Sequence, residues 1–337
     1  MKNKIYGSIM GTALGDSIGL PFEALSRKKI AKKKPTFENQ TLVFGKGMFS
    51  DDTEQTLAVA QSLIESYDDE ALFKKKMSKR LQLWFLAIPA GIGFATIRAI
   101  LKSFFLKKAG VFSAGNAPAM RSALMGVLFG NDDELLKCFV KANTELTHTD
   151  PKAYYGALAV AKATYLASEH REDEFFEIMK SLVDDVEFLE LLKNVETSLE
   201  LSTLDFATKL GLEKGVGGYI YQTLPIVLHS WLRNKNDLAQ AIVDVVRCGG
   251  DTDTTGAIVG SIIGANINGK DVPKAWIDGI VDFPRDVKFI DKISEELARV
   301  AEDKKVAKAS SLSAIAIIFR NIMFFMIVLV VAVTRQF

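Results

Sequence analysis

Gly249-Gly250-Asp251-Thr252-Asp253-Thr254-Thr255-Gly256 places two carboxylates two positions apart, with hydroxyls between and after them and glycine on both sides. A tight turn of this composition lets several oxygens converge on one point. Hard divalent cations such as Mg²⁺, Mn²⁺ and Ca²⁺ take such oxygens, whereas zinc and copper favour the His and Cys missing here. A second cluster, Ser50-Asp51-Asp52-Thr53, lies far earlier in the chain. Were the fold to join the two, four aspartates would face one another, more charge than one cation neutralises, so two metals are expected. Asp51 and Asp52 alone have a plainer reading, because acidic residues in a first helical turn are favoured by the helix dipole. That reading leaves the second cluster unexplained.

The elements that must hold these groups read as helices. From Ile5 to Leu20, Gly7, Gly11, Gly15 and Gly19 recur every fourth position among apolar residues. Each costs about 1 kcal/mol relative to Ala in a helix, so close packing against a neighbour must offset the loss. Asp16 and Glu23 flank the end of this helix, before and after Pro21, and taken alone read as solvated end residues. Residues 24 to 49 read as a loop. Ser50 is an expected N-cap, followed by one apolar face through Leu57, Ala60, Leu63 and Ile64. Ser113 to Arg121 holds small residues and Asn116 just before an apolar helix, a setting in which backbone N–H groups can meet phosphate. His148 sits before an Ala-rich helix, where a cap or core role is the commoner one. Residues 172 to 214 read as two helices, and the stretch from Gly256 to Ile267 as a buried one. No sustained period-two pattern supports a sheet, so the expected class is all-α with a single catalytic domain over 1–295.

Composition bounds the function. A chain of 337 residues, 48% apolar and 25% charged, is globular, and its net charge of +1 gives no footprint for nucleic acid. The lysine runs near residues 27–34 read as a solvated loop. Cys138 and Cys248 lack CxxC spacing, which suits a reducing compartment. The N-terminal apolar run is broken by Asp16 and by glycines and reads as part of the mature fold instead of a signal peptide.

Two motif readings fail on context. Asp251 to Thr255 matches the DxDxT of haloacid-dehalogenase phosphohydrolases, but no buried strand precedes it. Gly264 to Lys270 nearly spells a P-loop, yet Asp271 follows where Ser or Thr is needed.

Gly11 to Glu23, Phe49 to Thr53, Ser113 to Arg121, Thr147 to Asp150 and Gly250 to Thr254 together resemble the ADP-ribosylglycohydrolase family, which includes dinitrogenase reductase-activating glycohydrolase. The five segments occur in the family's order. The resemblance implies an all-α fold with a binuclear Mg²⁺ centre, Mn²⁺ being an alternative, at the mouth of an ADP-ribose cleft. By position, Ser50, Asp51, Asp52 and Asp253 would hold one metal and Asp251, Asp253 and Thr254 the other. Glu23 matches the glutamate beside the metals and, with Asp52 and Asp253, makes up the expected catalytic set. Ser113, Gly115, Asn116, Met120 and Arg121 match the segment around diphosphate and ribose, and His148 the cleft segment. Ser50 replaces a usual Thr and keeps the hydroxyl, while Ala117 replaces a frequent Gly.

The implied reaction is hydrolysis at the ribose anomeric carbon of an ADP-ribosylated protein or small molecule, with ADP-ribose as product. The alternatives are a non-catalytic binder of ADP-ribose or a nucleotide, and a metal-dependent nucleotide phosphohydrolase.

Beyond the resemblance, Ser311 to Val333 is apolar except for serines and the pair Arg320-Asn321, and is about long enough to cross ~30 Å of hydrocarbon. A central Arg costs roughly 2.5–3.5 kcal/mol on the insertion scale, which the many Leu, Ile, Phe and Val residues offset. The charged stretch 296–310 reads as a linker. Lys304, Lys305 and Lys308 before the span, against Arg335 after it, place the domain in the cytoplasm. The expectation is thus a C-terminal transmembrane anchor in the lipid bilayer at 311–333, with a soluble cytoplasmic protein as the alternative.

Overall fold

A computed structural model describes residues 1–267 and 272–334. Asn268 to Lys270 of the P-loop-like string, Asp271 and the flanking Arg335 lie outside the described residues. Helices dominate what is described, and the two named strands, Leu25–Ser26 and Gly249–Gly250, are two residues each. The described residues form a single compact all-α domain, with one further apolar helix at the C-terminus.

The glycine ladder of the first helix, Lys2–Gly19, meets a second ladder in the helix Thr252–Ile267. A Cβ on Gly11 would lie 2.0 Å from the Gly260 carbonyl oxygen, one on Gly15 1.9 Å from that of Gly256, and one on Gly19 2.2 Å from that of Thr252. The register steps by one helical turn on each side, so the helices run antiparallel with backbones in contact. This is the packing that offsets the low helix propensity of glycine. It also sets the end of the first helix, which leads to Glu23, beside the start of the second, which carries Asp253.

Several element expectations change. The segment 24 to 49 contains the helix Arg27–Lys33. Residues 172 to 214 form three α-helices, Phe175–Leu182, Val186–Glu196 and Thr203–Lys209, because Asp185 and Ser202 cap new N-termini through the Phe188 and Asp205 amides. The second acidic cluster opens its helix at Thr252, four residues before Gly256, so Asp253 lies in the first turn.

One C-terminal expectation needs correction. The stretch 296–310 is not a free linker, since its first half belongs to the helix Val287–Asp303, whose Phe289, Ile293, Leu297 and Val300 are buried. The rest folds back on the domain: the Ala307 amide donates to the Ile64 carbonyl at 3.0 Å, the Ser310 amide donates to Glu296 at 2.9 Å, and Ala309 is buried. The helix Ala314–Thr334 is long and apolar enough to cross a membrane, but it lies docked on the domain. Arg320, Asn321 and Phe324 form its buried stripe. Arg320 meets Glu54 at 2.9 Å and also Asp282, while the Asn321 amide donates to the Ala87 carbonyl at 2.8 Å. The arginine is therefore a polar contact between this helix and the domain.

Candidate active site

The two acidic clusters meet. Ser50 caps the helix Asp51–Ser66, and its hydroxyl donates to Asp52 Oδ2 at 3.0 Å. Thr254 Oγ1 donates to the same oxygen at 3.3 Å, across about two hundred residues of sequence. Ser50, Asp52, Asp253 and Thr254 form the buried floor. Above it Asp51, Asp251, Asp253, Thr254 and Glu23 line a cleft of about 530 Å³, within the usual range for small-molecule sites.

Asp251 is held by backbone that only glycine supplies. Gly249 and Gly250 have φ of 73° and 87°, in the left-handed region. They pair antiparallel with Ser26 and Leu25, and the Ala24 amide donates to the Gly250 carbonyl at 2.8 Å. Glu23 is thereby tied to the residue before Asp251. On the other side the Asp251 amide donates to Val216 at 2.8 Å, and the Asn116 amide to Gly218 at 2.9 Å. Asn116 completes the frame, its side-chain amide donating to Asp251 at 2.7 Å and to Thr223 at 3.0 Å.

Electrostatics point to a missing counter-charge. Asp51, Asp52 and Asp253 are held well above the ordinary carboxylate range, first by burial and then by one another and neighbouring carboxylates. Among the described residues lining the cleft there is no Lys or Arg. Asp52 Oδ1 and Asp253 Oδ1 are buried without a hydrogen-bond partner, which is costly unless something else binds them. No group of three or more His, Cys, Asp or Glu among the described residues forms a ready metal site as it stands. The donors are nonetheless hard oxygens, two of them orphaned, and fit Mg²⁺ or Mn²⁺.

Ser113, Gly115, Asn116, Met120 and His148 line the cleft with the carboxylates. Gly115 is needed there because a Cβ would lie 2.7 Å from His148 Nε2. His148 is buried, its Nδ1 lies 2.9 Å from Thr147 Oγ1, and burial with the nearby Arg121 charge lowers its pKa to about 3. The imidazole is neutral at physiological pH.

Arg121 does not face the cleft, which corrects its expected place among the ligand-binding residues. It is fully buried and donates to Asn143 Oδ1 at 2.9 Å, to Thr147 Oγ1 at 2.8 Å and to Gln55 Oε1. Gln55 in turn donates to Asp51 Oδ2 at 2.9 Å. Arg121 thus braces a cleft carboxylate from behind.

Asp16 was the residue that local reading missed. Far from being solvated, it is fully buried and accepts from the Ser50 amide at 2.8 Å, the Thr53 amide at 3.1 Å and the Thr53 hydroxyl at 2.6 Å. Burial pushes its pKa up to about 7 against these bonds. The available signal was the run of small and apolar residues on every face of this helix, which buries all positions from Gly7 to Gly19 and leaves Asp16 no solvent side.

Comparisons with known proteins give the family and the fold. A family model described as ADP-ribosylglycohydrolase matches residues 1–307. The chain is 26% identical to ADP-ribosylhydrolase ARH3 of Gallus gallus, covering 87% of this chain and 93% of that protein. It is 24% identical to ADP-ribosyl-[dinitrogen reductase] glycohydrolase of Rhodospirillum rubrum, covering 82% and 89%. A solved structure titled ADP-ribosylglycohydrolase-related protein complex superposes with a TM-score of 0.64 at 22% identity, over 89% of this chain and 98% of that one, and shows the shared fold.

Proposed function

The chain belongs to the ADP-ribosylglycohydrolase family, and from that premise we propose that it hydrolyses the bond between the ribose anomeric carbon and a modified protein or small molecule, releasing ADP-ribose. The observation that carries the reading is the junction of the two acidic clusters on the floor of the cleft, with Asp52 Oδ1 and Asp253 Oδ1 orphaned beneath it. A site built only to bind an anionic nucleotide has no use for that concentration of carboxylates.

Ser50, Asp51, Asp52 and Asp253 would hold one Mg²⁺ or Mn²⁺, and Asp251, Asp253 and Thr254 a second. Bound there, such ions would template the ribose hydroxyls and lower the pKa of a water. The protein's own groups supply the rest. Glu23 faces the cleft and is the residue that orients or deprotonates the attacking water. The carboxylates suit the oxocarbenium character of the transition state. Asn116 fixes Asp251, and the turn from Ser113 through Asn116 with Met120 and neutral His148 forms the wall for ribose and diphosphate.

Product analysis tests the reading with an ADP-ribosylated protein and Mg²⁺. Free ADP-ribose is the expected product, whereas phosphate would identify a phosphohydrolase and absence of product a binder. Glu23→Gln should lower kcat with ADP-ribose affinity little changed.

A further inference from the structure

The helix Ala314–Thr334 lies beyond the family match, which ends at residue 307. Its inner stripe packs Phe324 with Leu20, Leu42 and Met48, and Ile327, Val328 and Val331 lean on the same cluster. Its outer side carries Ile315, Phe319, Ile322, Phe325, Met326 and Leu329, each about half exposed or more. The domain continues this surface. Leu83 and Leu86, exposed by 57% and 60%, line one hollow together with Ile317 and Ile318 of the helix. Phe44, wholly exposed, follows Val43, which packs on the Phe324 cluster. An apolar patch of this extent marks an interaction surface.

Two observations identify the occupant as lipid and fix how it is met. From residue 304 to 334 there is no acidic residue, and Lys304, Lys305 and Lys308 stand exposed at the near end of the helix. A cationic edge beside a purely apolar face complements anionic headgroups over acyl chains. The helix is also pinned inward, because Arg320 and Asn321 bind Glu54, Asp282 and the Phe49 and Ala87 carbonyls. Crossing the hydrocarbon would strip Arg320 from two buried carboxylates and leave their charges unpaired inside the domain.

We propose that the C-terminal helix stays docked on the domain and lies in the plane of an anionic lipid surface, its outer face sunk into one leaflet. The polar side that an isolated interfacial helix presents to water is here replaced by the domain itself. One margin of the cleft lies near the docked helix: Ala90 packs on the Phe324 cluster, and Gly91, the next residue, lines the cleft.

The test uses the full chain bearing a C-terminal tag, with sealed vesicles of phosphatidylcholine alone or mixed equally with phosphatidylglycerol. The expected result is flotation with the mixed vesicles, weaker flotation with phosphatidylcholine alone, and a tag fully open to protease added outside. Phe319→Glu combined with Phe325→Glu should abolish flotation while leaving the thermal unfolding transition unchanged, since both side chains point away from the domain. Protection of the tag inside the vesicle would show a crossing helix and overturn the proposal. So would a chain that fails to float and sediments as a dimer, dissolved by the same double substitution, because a second copy would then cover the face. A full-length chain that neither floats nor dimerises also overturns it.

Discussion

Arg320 donates to the Phe49 carbonyl oxygen at 2.6 Å, one residue before Ser50 opens the acidic cluster. Asp282, the ionic partner of Arg320, accepts from the Phe49 amide at 2.9 Å. A residue outside the family match therefore holds the Phe49 carbonyl, while its ionic partner inside the match, Asp282, holds the Phe49 amide. Glu54, one turn further on, binds Arg320 and Arg285 through the same oxygen.

Removing this guanidinium while leaving its carboxylates buried should be expensive. Arg320→Leu is expected to destabilise the protein by about 3–5 kcal/mol in urea unfolding. Adding Asp282→Asn should recover part of the loss, because the two act as a pair. A chain cut after Lys308 should unfold as readily as Arg320→Leu. Equal stability of that truncated chain and the full one would show the anchor to be idle.

The contact between glycine ladders predicts an inverted helix-propensity effect. Gly15→Ala gains about 1 kcal/mol in propensity, but its Cβ would lie 1.9 Å from the Gly256 carbonyl oxygen. Backbone cannot yield as a side chain can, and overpacking of this kind costs ~3 kcal/mol or more. A net loss of ~2 kcal/mol or more is expected, and a variant as stable as the parent would mean the helices can separate without penalty.

Crowded carboxylates predict opposite effects of one substitution with and without metal. In chelator, Asp253→Asn should raise the melting temperature, because it removes a charge that burial and neighbouring carboxylates disfavour. With saturating Mg²⁺ or Mn²⁺ the parent should gain stability by mass action and the variant should not. If added cation leaves both melting curves unmoved, the site is not a metal centre.

His148 should shape the acid limb of stability. Its folded pKa is lowered to about 3 from 6.5. Between these values the unfolded chain binds a proton that the fold refuses, so stability is full above 6.5 and falls as pH drops toward 3. His148→Gln should flatten that limb by up to ~1.4 kcal/mol per pH unit. Parallel limbs in the two proteins would place the imidazole in a more open setting than the cleft wall.

The sequence by itself determined the helical class and the family resemblance. Paired aspartates among glycines and hydroxyls, an N-capping Ser50 and a four-residue glycine ladder are local patterns, each limited by backbone geometry or ligand hardness. Local pattern suggested a phosphate-facing turn at Asn116, whereas Glu23 and His148 were assigned to the cleft they line only through the resemblance. Tertiary structure decided whatever depends on where a side chain points once helices pack. Asp16 became an internal cap for Ser50 and Thr53 because its helix is buried on all sides and packs against the start of the helix Asp51–Ser66. Arg121 turned away from the cleft because Gln55, Asn143 and Thr147 offer buried acceptors behind it. Arg320 looked like a charge to be tolerated in a membrane span, and became an anchor because Glu54 and Asp282, distant in sequence, converge on it. Periodicity reports which residues share a face, but it cannot report what a charged side chain on that face will meet.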